Sequence, residues 1–257
     1  MDDERMNGSS QSATGVAAIL PGAVYWTPNT ARARWFDAIS LLLPAGETFV
    51  IEAVRDACAA WPAHDALRKA VQHLIDEEHA HQRAHDRYNE RLAAVGLPVG
   101  ALTDRLASMM APMRAWPLEE RVLMAAALEQ CTALLSREVL RNRAWLGPHE
   151  SATTRMWRWH CEEEIGHHGT AIALAAIAPR RIWTWPLILV LAAVWLTSDI
   201  LRFQSALRAT DLRLGRVGRW QSLRDSLQFA AQTAPGVARL LAGGIRSVFL
   251  KLPGQRR

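Results

Sequence analysis

Two stretches of the chain place their apolar residues at alternating intervals of three and four, and in both the ladder turns polar halfway along. The first runs Val71, Leu74, Glu78, His81, His85, Tyr88, Leu92; the second runs Trp157, His160, Glu164, His167, Ala171, Leu174, Ala178. Three-four spacing collects residues on one face of an α-helix, so each ladder predicts a helix whose inward face carries carboxylates and imidazoles at its centre. Burying such groups without partners costs several kcal/mol. Any fold that accepts both faces must therefore bring compensating groups to meet them.

Start and stop signals divide the body into four helices. One opens at Pro44-Ala45-Gly46 and ends at Trp61-Pro62; a second runs from about Asp65 to Val95, closed by Gly96 and Pro98. After a linker of roughly twenty residues, Pro117 sits in a first helical turn with Glu119 and Glu120 behind it, and this third helix reaches Leu146. The fourth begins near Ser151, a good N-cap, and stops at Pro179. Strand signals are nearly absent. Two short turns and one long connection between the second and third helices predict an all-α, ferritin-like four-helix bundle over residues 31–180, with further apolar helices after it.

Half of the residues are hydrophobic, enough for a substantial core. Cys58, Cys131 and Cys161 form no close-spaced motif, which argues for free thiols and a reducing compartment. The acidic, small-polar start lacks the basic and apolar regions of a secretory signal, so residues 1–30 read as a disordered leader and the location as cytoplasmic. Residues 1–179 carry 17 Arg/Lys against 22 Asp/Glu, a net −5, whereas residues 180–257 carry 13 against 3, a net +10. A basic end attracts phosphates. Its arginines alternate with tryptophan and aliphatic residues and no nucleic-acid motif accompanies them, which points to a membrane surface and away from nucleic acid.

Both ladders contain Glu-x-x-His, as Glu78–His81 and Glu164–His167. Residues three apart on a helix lie about 5 Å from each other on one side, so each pair can offer a nitrogen and a carboxylate to one ion or to two neighbouring ions. Di-iron and di-manganese bundles complete such a set with one inward glutamate from each remaining helix. Glu129, the only charged residue between Arg121 and Arg137, supplies one, and Glu47 with Val50 or Ile51 and Val54 on its face supplies the other. His160, one turn before Glu164, is a third nitrogen candidate, and His85, one turn after His81, a lesser one. His73, His79 and His168 fall off the ladders and read as surface; Glu77, Glu162 and Glu163 sit beside the inward face as solvated or supporting residues, with Glu163 a competitor of Glu164. Imidazole with carboxylate suits iron or manganese better than a structural zinc.

At these residues the chain resembles the bacterial proteins named predicted metal-dependent hydrolases, whose pattern reads here as G46-E47-T48-F49, E77-E78-H79-A80-H81 through H85 and N89, E129-Q130-C131-T132, and W159-H160-C161-E162-E163-E164-I165-G166-H167. Glu77, Gln130 and Gly166 depart from it, and the second departure takes Gln130 out of the ligand set. The H-x-x-x-E-x-x-H of helix four is also similar to p-aminobenzoate N-oxygenase-type di-iron enzymes, which implies oxygen activation at two irons with a third histidine. The expectation is a di-iron oxidase or oxygenase acting on a hydrophobic substrate, with dioxygen and an electron-donor protein as partners; a dinuclear hydrolase is the alternative, and metal storage a third. A homodimer is compatible with either.

Residues 182–197 carry no charge and fall just short of the ~20 needed to span a bilayer. They read as a helix buried on the bundle, lying at a membrane interface, or spanning it, with a peripheral place on the inner membrane as the corresponding location.

Overall fold

The structure is a computed structural model that describes residues 24–178 and 185–248. Among these residues it is all helical: α1 (Thr30–Ala60), α2 (Asp65–Ala94), α3 (Val99–Arg114), α4 (Leu118–Arg141), α5 (Ala152–Ala176), α6 (Trp185–Arg213) and α7 (Arg219–Val248). The all-α expectation holds. α1 packs on α2 and α4, and α5 packs on the same two helices, so these four close a ring around their polar centres. Most of the expected leader, and the start of the uncharged run at residue 182, lie outside the described residues.

Local chemistry sets the ends of α2 and α5 where the sequence signals place them. The backbone N–H of Leu67 donates to His64 Nδ1 at 3.1 Å, capping α2. At α5 the Thr154 N–H donates to Ser151 Oγ and the Ser151 N–H to Thr154 Oγ1, a reciprocal box that satisfies two orphan donors.

Two helix boundaries and one connection differ from what the sequence predicts. α1 does not open at Pro44 but at Thr30, with Asn29 Oδ1 accepting the Arg32 N–H, and Pro44 lies inside the helix. Proline removes the N–H that the Ser40 carbonyl would accept. The Asn89 side-chain amide, across on α2, donates to that carbonyl at 2.9 Å, a replacement that no local pattern reveals. The crossover holds α3, which buries Leu106, Met110 and Met113 against α1 and α2. α4 ends at Arg141, short of Leu146.

α6 and α7 pack on each other and both lie on α1 and α4. Buried polar contacts fasten them there. Arg34, fully buried, donates from Nε and Nη2 to Asp211 at 2.6 and 2.9 Å and from Nη1 to Asp37 at 2.6 Å, while Tyr88 donates to the other Asp37 oxygen. The Thr30 hydroxyl donates to Asp225 Oδ2 at 2.8 Å. Gly236 lets α7 approach α4 closely, since a Cβ there would stand 2.6 Å from Glu138 Oε1.

Candidate metal centre

The ring of α1, α2, α4 and α5 turns all eight residues singled out as ligands inward. Glu47 comes from α1; Glu78, His81 and His85 from α2; Glu129 from α4; His160, Glu164 and His167 from α5. All are buried, from 0% exposure at His81 and His85 to 6% at Glu47. Donor atoms of Glu78, His81, Glu164 and His167 lie within 4.8 Å of one another, and so do those of Glu47, His81 and His160. Because His81 belongs to both groups, they form one continuous centre. Glu129 adjoins it, with Oε2 3.8 Å from His167 Nδ1. His85 belongs to neither group.

The doubled motif Glu-Glu-x-x-His on α2 and α5 explains the orientation of two rings. His81 Nε2 donates to Glu163 Oε2 of α5 at 3.1 Å, and His167 Nε2 donates to Glu77 Oε2 of α2 at 3.0 Å. Each helix thus points its second glutamate into the centre and uses the first to hold the other helix's imidazole from behind. Both Nε2 atoms therefore carry a proton and both Nδ1 atoms face inward, where a bound metal ion would take the place of the second proton each ring holds in the metal-free protein. Metal-bound histidines are held this way as a rule. Trp159 Nε1 donates to Glu163 at 2.8 Å and fixes that carboxylate in turn. Of the two roles the sequence leaves open for Glu77 and Glu163, solvated or supporting, both take the supporting one; which histidine each supports is set by the pairing of α2 with α5. Glu163 does not take the place of Glu164. Gln130 donates to Ser247 and points away from the donors, as its departure from the family pattern suggested.

A second chain of hydrogen bonds orients His160. Asn89 spends its amide on the Ser40 carbonyl, so the Ser40 hydroxyl gives its single proton to Asn89 Oδ1 at 2.8 Å. The same hydroxyl oxygen must then accept from His85 Nδ1, 2.9 Å away. The His85 ring, held neutral because burial and the nearby His81 push its pKa down to about 3, is left with Nε2 as an acceptor for His160 Nδ1 at 3.4 Å. His160 Nε2 is thereby unprotonated, 3.8 Å from Glu164 Oε2. Ser40→Ala should weaken metal binding by about 10- to 100-fold, the range for lost outer supports. Ser40→Thr, which keeps the hydroxyl, should restore it; calorimetric titration with metal would show equal affinities if the chain were irrelevant.

The donors fit divalent ions on a direct test. Both oxygens of Glu47, Oε2 of Glu78 and of Glu129, and Nδ1 of His81 and of His167 are buried without a hydrogen-bond partner. His167 Nδ1 comes within 2.7 Å of Glu78 Oε1, yet lacks the alignment of a hydrogen bond. Leaving a buried polar group unsatisfied costs ~1–3 kcal/mol, so this many orphans converging on one place is a poor structural core and a good cation site.

Protonation in the metal-free protein follows from the crowding. Burial, then the neighbouring carboxylates, push Glu47 and Glu129 well above the ordinary carboxylate range. Burial alone would raise Glu78 as well, but the imidazoles of His167 and His81 outweigh it and hold Glu78 down to about 2. Burial would lower His81, yet Glu163 and Glu78 raise it to about 10, and His167 is raised in the same way. A histidine whose folded pKa is raised contributes stability that is complete below its unfolded value of 6.5 and is lost as pH climbs through the folded value. The melting temperature of chelator-treated protein is therefore expected to fall as pH rises from 6.5 toward 10. Metal-loaded protein, whose inward Nδ1 atoms would carry no proton to lose, should melt higher and vary less over the same window.

Beside the centre lies a cavity of about 60 Å³, room for about two waters. Glu47, Glu78, Glu129 and Glu164 form its polar wall; Leu42, Leu43, Val50, Leu106, Leu128 and Trp195 are among the apolar residues opposite. Trp195, Leu196, Asp199 and Ile200 of α6 close it, so the segment after the bundle helps to form the site.

These features define a class: an all-helical protein whose bundle encloses a Glu/His centre able to hold two metal ions. A family model described as predicted metal-dependent hydrolase matches residues 20–251, and the chain belongs to that family. No curated protein and no solved structure matches it.

Proposed function

We propose that this protein is a dinuclear metal-dependent hydrolase acting on a small, uncharged, largely apolar substrate. The observation that carries the reading is the convergence of buried, unpartnered carboxylate oxygens and imidazole nitrogens from four helices on one side of an apolar cavity. The family description favours hydrolysis as the reaction. Glu47, Glu78, Glu129, Glu164, His81, His160 and His167 would hold the ions, with His85 behind His160 as its support. Two bound ions would lower the pKa of a coordinated water and polarise a carbonyl. The residues do the rest. Glu163 and Glu77 keep Nδ1 of His81 and of His167, respectively, turned inward, Glu47, Glu129 and Glu164 face the cavity, and its aliphatic wall excludes bulk water and receives the apolar part of the substrate. Among the described residues no Lys or Arg lines that cavity, which favours a carboxylic ester or amide over a phosphoester.

A second reading, oxygen activation at two irons, is favoured by the ligand types: a Glu/His set without cysteine suits iron and manganese, and a mostly apolar cavity suits oxidation of a hydrophobic molecule with dioxygen and an electron donor. The ferritin-like di-iron pattern belongs to this reading. Metal content and stoichiometry of purified protein, followed by turnover of short-chain esters under zinc, manganese and iron, tests the first. Ester turnover that tracks metal content supports hydrolysis. A transient absorption on admitting oxygen to the anaerobic ferrous protein, with no ester turnover under any metal, would replace it with the second.

A further inference from the structure

The outer faces of α6 and α7 repeat one pattern. On α6, Leu187, Val190, Leu191, Val194 and Leu201 are 48–68% exposed and follow three-four spacing. On α7, Trp220, Leu223, Leu227, Leu241 and Ile245 are 47–84% exposed on the same spacing, with Ala231, Ala234 and Ala238 continuing the stripe through the middle. Both helices pack on α1 and α4, so the faces turned away from those helices look outward on one side of the molecule. Two adjacent helices that each expose a stripe of large aliphatic residues are not an ordinary solvated surface.

Charge selects the occupant. The segment that contains both helices, residues 180–257, carries 13 Arg/Lys against 3 Asp/Glu. Arg202 and Arg213 on α6 and Arg219, Arg224 and Arg246 on α7 are exposed beside the stripes. Apolar stripes edged with arginine, with a tryptophan 84% exposed at one end, have the make-up of helices that lie in the headgroup layer of an anionic bilayer. We propose that the α6–α7 face docks on an anionic phospholipid membrane, with both helices lying in the plane of its surface.

α6 is also long and apolar enough to cross a membrane, by length and composition. Its opposite face argues against crossing: Asp199 and Asp211 are buried there against the bundle, and Arg34 holds Asp211 through two hydrogen bonds. The same inner face closes the cavity beside the metal centre through Trp195, Leu196 and Asp199. One helix therefore separates the docking face from the site. If the proposed function holds, this arrangement suits a substrate drawn from the lipid phase.

The test is flotation of the full chain with vesicles of phosphatidylglycerol and phosphatidylcholine, against pure phosphatidylcholine. The wild type should float with the anionic vesicles only, binding at least ten times more weakly in high salt, and be released by alkaline carbonate. Trp220→Ser with Leu227→Ser, and separately Arg219→Glu with Arg224→Glu, should each lower vesicle binding at least tenfold while leaving metal content and melting temperature unchanged. Failure of the wild type to float, or unchanged binding in both double variants, would overturn the proposal. So would retention after carbonate, which means a spanning helix, or lipid-free dimers that the apolar double variant abolishes, which means a second copy covers the face. Metal content is measured on the same samples, so this outcome is independent of whether the centre is a hydrolase.

Discussion

Glu78→Ala is expected to cost the centre at least one metal equivalent, measured by elemental analysis after dialysis against limiting metal. Glu78 stands between both inward imidazoles, with Oε1 2.7 Å from His167 Nδ1 and Oε2 3.5 Å from His81 Nδ1, so its loss removes the carboxylate that the imidazoles of α2 and α5 share. Glu129→Gln is the sharper companion. In the metal-free protein Glu129 is a buried carboxyl among like charges, so a neutral isostere should leave the metal-free melting temperature unchanged or raise it, while metal binding weakens. Functional sites trade stability in this direction. Full retention of two equivalents by both variants would remove the assignment of these residues as ligands.

Arg34→Met is expected to destabilise the protein by about 3–5 kcal/mol, the usual cost of removing one partner from a buried ion network. Arg34 is fully buried between Asp37 and Asp211 and joins α1 to α6. Without it two carboxylates remain in the interior, Asp37 with only the Tyr88 hydroxyl and Asp211 with the longer contact to Arg216. For a chain of this size the loss corresponds to about 6–20 °C in melting temperature. Adding Asp37→Asn and Asp211→Asn should recover a good part of it, because the penalty lies in the unpaired charges. A shift of under about 2 °C in Arg34→Met would show that water reaches these groups and that the network does little to hold α6 in place. Since α6 closes the cavity, a large shift should be accompanied by easier loss of metal.

The centre was legible because its signal is periodic. Glu78–His81 and Glu164–His167 recur on three-four ladders, and a lone glutamate in the otherwise uncharged middle of α4 has few explanations besides a shared interior site. The supports were less legible. Glu77 and Glu163 sit one residue off the ladders, and their partners are the histidines of the opposite helix, 90 and 82 positions away in the chain. Ser40 carries no pattern at all; its role depends on a proline four residues later and on Asn89 from α2 supplying the missing donor. For the same reason Pro44 misled the reading of α1. A proline opens or breaks a helix when only local bonds are counted, and stays inside one when a neighbour makes up the lost bond.

The sequence by itself determined the all-helical class, the four inward faces and the candidate donors, because helical periodicity and the cost of burying charge act within one segment at a time. Only the tertiary structure decided which nitrogen of each imidazole faces inward, that α3 fills the crossover, and that α6 closes the cavity while turning a second apolar face outward. Those outcomes rest on contacts between residues far apart in the chain, where the partner that satisfies a hydrogen bond or a charge is fixed by packing and leaves no trace in local spacing.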